Sequence, residues 1–141
     1  RTKYYYRLKN HDKFLRDLNI NFAKVEPRMT RDFLITFKNE IEKNQAIKKL
    51  DELNEINKKI IFTFESRNKS IFVTLSIQHE ITKNEKILID NHRKILIKDH
   101  VVFVALKNGM HDQKGYFYST LNTSVNNITE IKQEIVNFFT K

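Results

Sequence analysis

The chain has 141 residues, carries 26 Lys and Arg against 17 Asp and Glu for a formal net charge of +9, and contains no cysteine. That length suits a single domain over 1–141 whose core needs neither disulfide nor metal as a staple. The composition excludes a disulfide framework, a thiolate zinc site and a cysteine nucleophile, and no apolar run approaches the roughly 20 residues that span a bilayer.

The chain starts at Arg1 without an initiating Met or an apolar leader, so the expectation is a piece of a longer protein; a cytoplasmic location is compatible but not implied. Residues 1–31 hold nine Lys or Arg against Asp12, Asp17 and Glu26. Summed positive potential of this kind concentrates nucleic acid, anionic lipid or a phosphorylated ligand, which makes Lys3, Arg7, Lys9, Arg28 and Arg31 candidate polyanion-binding residues. Codon bias competes with that reading, because Lys, Asn and Ile contribute 19, 15 and 17 residues, the product expected of an AT-rich gene. Arg supplies only seven of the basic residues, which weakens the case for bidentate phosphate recognition.

The Tyr4-Tyr5-Tyr6 run between Lys3 and Arg7 fits either a stacking or docking surface or a strand with a buried central Tyr. Over Asn10 to Leu18, the spacing of Phe14, Leu15 and Leu18 predicts a short amphipathic helix, with Asn10 or Asp12 as cap. Ala23 to Met29 passes through Pro27, the one proline. Asp32 to Phe37 has strand composition with Phe33, Ile35 and Phe37 on one face. Glu40 to Leu53 keeps helical periodicity through Ile41, Ala46, Ile47, Leu50 and Leu53. Ile60–Phe64 and Ile71–Ile77 predict a hairpin. Ile87-Leu88-Ile89 and Ile95-Leu96-Ile97 predict a second hairpin or an irregular excursion. The continuous apolar run Val101 to Leu106 predicts a strand buried on both faces. A C-terminal helix is expected from Asn127-Ile128-Thr129-Glu130 onward, with Ile131, Ile135, Val136 and Phe139 as its apolar stripe. These elements predict an α/β or α+β domain with one mixed sheet, two to three packed helices and a central strand near 101–106.

Both glycines, Gly109 and Gly115, fall just after that last strand. The intervening His111 and Asp112 stand where open α/β sheets place ligands, and a His there suits metal ligation or proton transfer. An exposed turn His accounts for the same letters, since zinc needs three or four convergent ligands. His11, His79, His92 and His100 form no recognised metal or catalytic spacing. There is no nucleophile-elbow pattern and no glycine-rich phosphate loop.

The order Asp32–Phe37, Glu40–Leu53, Ile60–Ile77 and Val101–His111, ending in Gly109-Met110-His111, resembles the C-terminal part of the alkaline phosphatase superfamily, in particular its type I phosphodiesterase and nucleotide pyrophosphatase branch. The resemblance is one of layout from Asp32 to His111 and of one tripeptide in letters. It implies a metal-dependent phosphodiesterase or phosphatase whose zinc centre takes His111 as one ligand and is completed by residues outside this chain. The chain alone is then expected to be inactive. Asp112 and Gln113 stand where that branch often continues with Gly and Tyr.

The rival reading is a basic nucleic-acid-binding or protein-interaction module without catalysis, presenting Phe33, Phe37, Phe62, Phe64 or Phe72 on a sheet. The strand-helix-strand-strand order over 32–77 suits part of a ferredoxin-like fold, although alternation of these aromatics favours core packing. A third class is a structural or oligomerising domain inside a larger assembly.

Overall fold

The computed structural model describes residues 2–107 and Val136, and divides the chain into one compact unit over Arg1–Gly109 and a second over Met110–Lys141. Of the second, only Val136 is described, as a helical and half-exposed residue. The expected glycine turn with His111 and the rest of the expected C-terminal helix lie outside the described residues.

The first unit is α+β. Its chain order is β1 (Lys3–Leu8), α1 (His11–Asp17), β2 (Lys24–Pro27), β3 (Asp32–Thr36), α2 (Glu40–Ile56), β4 (Phe62–Arg67), β5 (Ser70–Leu75), β6 (Lys86–Leu88), β7 (Lys94–Leu96), α3 (Ile97–His100) and β8 (Val101–Lys107). Among the described residues these strands form three antiparallel sheets, ordered β2-β3-β5-β4, β1-β8 and β6-β7. Because β3 and β4 are each antiparallel to the β5 between them, they run parallel, and β3-α2-β4 is a split β-α-β unit.

Period-two alternation decides what the central sheet buries. Phe33 lies opposite Val73, Ile35 opposite Ile71 and Phe62 opposite Leu75, all on the core face. Each of these side chains contributes about 1.5–3 kcal/mol on leaving water. The other face carries a polar ladder: Thr74 donates to Asp32 at 2.8 Å, and the Thr36 and Ser70 hydroxyls meet at 3.1 Å. The Arg67 guanidinium covers the half-buried Phe72 on that face. Phe33, Phe37 and Phe62 are therefore core residues, and Phe64 packs against the core.

Caps and side-chain bridges set the helices. The Asn10 side chain caps α1 by accepting from the Lys13 amide, and Asn39 caps α2 by accepting from the Glu42 amide. Ala46, Leu50 and Leu53 of α2 enter the core, whereas Ile41 is exposed and Lys43 is buried in its place. The Lys43 ammonium is satisfied by Glu40 and by the Asn68 carbonyl in the β4–β5 turn. Asn54 accepts from the Ile61 and Phe62 amides and donates to the Phe62 carbonyl, which fixes the entry into β4. Asn57 does the same for β6, exchanging two bonds with Leu88.

One strand was not expected, and one expectation changes. The segment through Pro27 is an edge strand, where a proline costs the sheet no ladder bond. The run at 101–106 is a strand, but not the centre of one mixed sheet: among the described residues it pairs only with β1, only Val101 is buried, and Phe103 and Leu106 are 52% and 51% exposed. A continuous apolar run reads as two-faced burial, yet a strand with one neighbour need not achieve it.

The Glu85 carboxylate joins Lys59 at 3.0 Å to His79 at 2.8 Å. Burial pushes this carboxyl up, but the hydrogen bonds from Lys59 and His79 outweigh burial and hold it below its ordinary value of 4.5. Its contribution to stability is therefore complete above pH 4.5 and is lost as pH falls through the lower folded value. Glu85→Gln is expected to be less stable than the parent at pH 7 and to lose less stability on acidification, as measured by urea unfolding at pH 7, 5 and 3.5. Asn54→Ala strands the buried Ile61 amide and is expected to cost about 1–3 kcal/mol in the same assay.

Candidate anion-binding cleft

Strand alternation on β1 sorts its residues before any partner is considered. Tyr4, Tyr6 and Leu8 fall on one side, and Lys3, Tyr5 and Arg7 on the other. Tyr6 and Leu8 are buried, and the Tyr6 hydroxyl accepts from the Ile81 amide at 3.0 Å. Tyr4 lies parallel to Tyr6 with centroids 6.5 Å apart and donates to Glu80, whose carboxylate raises the Tyr4 pKa. The tyrosine run is thus a strand, with Tyr6 rather than the central Tyr5 as its buried member.

The opposite side faces the β2–β3 connection. Thr30 adopts φ 49°, and the Arg28 and Asp32 amides donate to Asp32 and Met29 carbonyls, so residues 28–31 make a tight turn. A cavity of about 470 Å³ lies between this turn and the β1–β8 ribbon, lined by Arg7, Lys9 and His11, by Arg28, Thr30 and Asp32, and by Val102, Phe103 and Val104. Arg7, Lys9 and Arg28 line it together with one carboxylate, Asp32, which already accepts from Thr74, while the Lys9 ammonium donates to the Lys98 carbonyl.

Of the five expected polyanion-binding residues, Arg7, Lys9 and Arg28 line one cavity, and Arg31 and Lys3 do not line it. The Arg31 guanidinium lies 4.6 Å from the Tyr5 centroid, and its buried Nη1 has no hydrogen-bond partner among the described residues. Lys3 pairs across the ribbon with Lys107, a like-charge juxtaposition that an anion relieves. Arg28 is shared with Glu26 at 3.8 Å, whereas Arg7 and Arg31 have no ion pair among the described residues.

His11 is a member of this cavity that its sequence context did not mark; the signal lay in its place two residues after Lys9, at the start of α1. Its ring packs edge-on to Phe33 at 5.0 Å. Burial, and then the Arg7 charge, lower its pKa below 6.5, so near pH 7 it is a neutral hydrogen-bonding group.

A metal centre has less to stand on. Among the described residues no group of three or more His, Cys, Asp or Glu could hold a metal ion, and His111 lies outside them. No helix among the described residues is long and apolar enough to cross a membrane. No protein-family model, curated protein or solved structure matches the chain.

The cleft makes a direct prediction. In a histidine NMR titration His11 is expected to titrate below 6.5, to move up in Arg7→Gln, and to move up again when inorganic phosphate occupies the cleft, because an anion favours the imidazolium. Phosphate affinity should correspondingly rise as pH falls from 7 to 5.5.

Proposed function

We propose that this chain recognises phosphate esters through the cleft of Arg7, Lys9 and Arg28, as an accessory portion of a phosphodiesterase- or phosphatase-like hydrolase. The observation that carries the reading is that those three residues, from two separate parts of the chain, line one cavity. Guanidinium groups match phosphate oxygens in geometry as well as charge.

The reaction class rests on the resemblance at Gly109-Met110-His111. On this reading His111 would be one ligand of a zinc ion whose other ligands lie outside this chain, and the metal would supply charge stabilisation to phosphoryl transfer. The cleft binds and orients the ester, and His11 donates or accepts a hydrogen bond without carrying the chemistry.

Isothermal titration of the full chain tests both halves. Inorganic phosphate is expected to bind, and Arg7→Gln with Arg28→Gln to weaken it at least tenfold; unchanged affinity overturns the cleft. Zinc is expected to bind the parent more tightly than His111→Ala; equal affinity overturns the hydrolase assignment and leaves a phosphate-binding module.

A further inference from the structure

We propose that two copies of this chain associate through the apolar side of the β1–β8 ribbon, setting Tyr4, Phe103 and Leu106 of one copy against the same residues of the other. Lys3 and Arg7 occupy the opposite side of that ribbon, so the contact is independent of the phosphate-ester reading.

Register assigns the side. Residues directly opposite each other in an antiparallel pair project from the same face, so Tyr4 with Leu106, Tyr6 with Phe103 and Leu8 with Val101 make one apolar side. Tyr6, Leu8 and Val101 are buried in the core. Toward the other end of the ribbon the cover stops: Phe103 packs edge-on to Tyr4 at 6.4 Å and to Tyr6 at 5.9 Å, yet Phe103 and Leu106 stay half-exposed. The apolar side thus runs from the core out into water, where burial against a partner is favourable. β8 also lacks what protects the edges of the central sheet. Pro27 lies in β2 and Glu65 and Arg67 in β4, whereas Lys107 is the one charged residue of the seven in β8. The register shift between Tyr5 and Tyr6 disfavours a continuous ladder between copies and leaves side-chain packing as the contact.

Charge selects the occupant. The groove of about 710 Å³ that Tyr4 and Phe103 line is also lined by Lys9, Lys83 and Lys98 and by Glu80 and Asp99. A nucleic acid or an anionic lipid surface meets two carboxylates there, and a cationic partner meets three ammonium groups. A second copy brings both signs, and a two-fold contact sets lysines of one copy against carboxylates of the other. Two chains at +9 each repel one another, and a surface of mixed sign relieves that repulsion locally. The opposite side of the ribbon offers no such match, because Lys3 lies across from Lys107 and Arg7 has no ion pair among the described residues.

Sedimentation equilibrium of the full chain tests this. A few half-exposed side chains make a small interface, so a dimer with a dissociation constant of about 10–100 µM is expected. Phe103→Glu is expected to weaken it about tenfold or more, and Leu106→Glu on the same side to act alike, with thermal melting of each variant checking that the fold persists. Met29→Ala, which removes a more exposed apolar side chain from the β2–β3 turn, is expected to leave association unchanged. The chain has no tryptophan, so Phe103→Trp reports on the patch alone, and its emission is expected to move to the red on dilution. A monomer at every concentration up to about 1 mM overturns the proposal. The tryptophan then separates the alternatives: blue emission at all concentrations means that the patch is covered within one copy, and red emission that it stays open to solvent. Association that Met29→Ala weakens as much as Phe103→Glu and Leu106→Glu do also overturns it.

Discussion

Pairing of β1 with β8 closes the described unit from Lys3 to Lys107, and Lys3 and Arg7 take their places from that ribbon. Closing so long a loop costs chain entropy, which local contacts must offset. The offset comes from the inward side of the ribbon: Tyr6, Leu8 and Val101 are in the core, and the Lys9 amide donates to the His100 carbonyl. Once those side chains point inward, the pleat obliges Lys3, Tyr5 and Arg7 to point the other way. The basic row is thus a geometric consequence of burying Tyr6 and Leu8.

A second constraint comes from the β2–β3 turn. Arg28 and Arg31 are three residues apart in sequence, and Thr30 in the left-handed region lets one line the cavity while the other reaches Tyr5. Asp32 moderates the accumulation of charge and is itself held by Thr74 on the neighbouring strand. The cleft is therefore supported by the central sheet as well as by the ribbon.

Local patterns were legible in the sequence because they depend on nearest neighbours. The Asn10 cap, the β4–β5 hairpin and the core alternation of Phe33 and Ile35 all formed as their spacing required. Pairing partners were not legible. Val101 to Leu106 has the letters of a central strand, and only the choice of β1 as its neighbour leaves Phe103 exposed. Lys43 illustrates another limit: a lysine in a helical pattern reads as solvated, yet the Asn68 carbonyl from a turn 25 residues on satisfies it in the interior. The basic N-terminal residues were visible as charge, but their grouping around His11 required the β2–β3 turn to fold back on β1.

That grouping bears on whether the charge reflects codon bias or a site. Bias toward AT-rich codons enriches lysine, and lysines occur throughout this chain, many on exposed helix positions. Arginine is the more informative residue. Arg16, Arg67 and Arg93 form ion pairs with Asp12, Glu65 and Asp90, and Arg28 leans on Glu26. Arg7 and Arg31 are the two described arginines without an ion pair among the described residues; Arg7 lines the cavity, and Arg31 lies over the Tyr5 ring. Among the described residues the buried Arg31 Nη1 has no hydrogen-bond partner, which costs the fold free energy. Arg7 lines the cavity without an ion pair among the described residues, and on the function proposed above a phosphate there would pair with it, which scattered surface lysines do not offer.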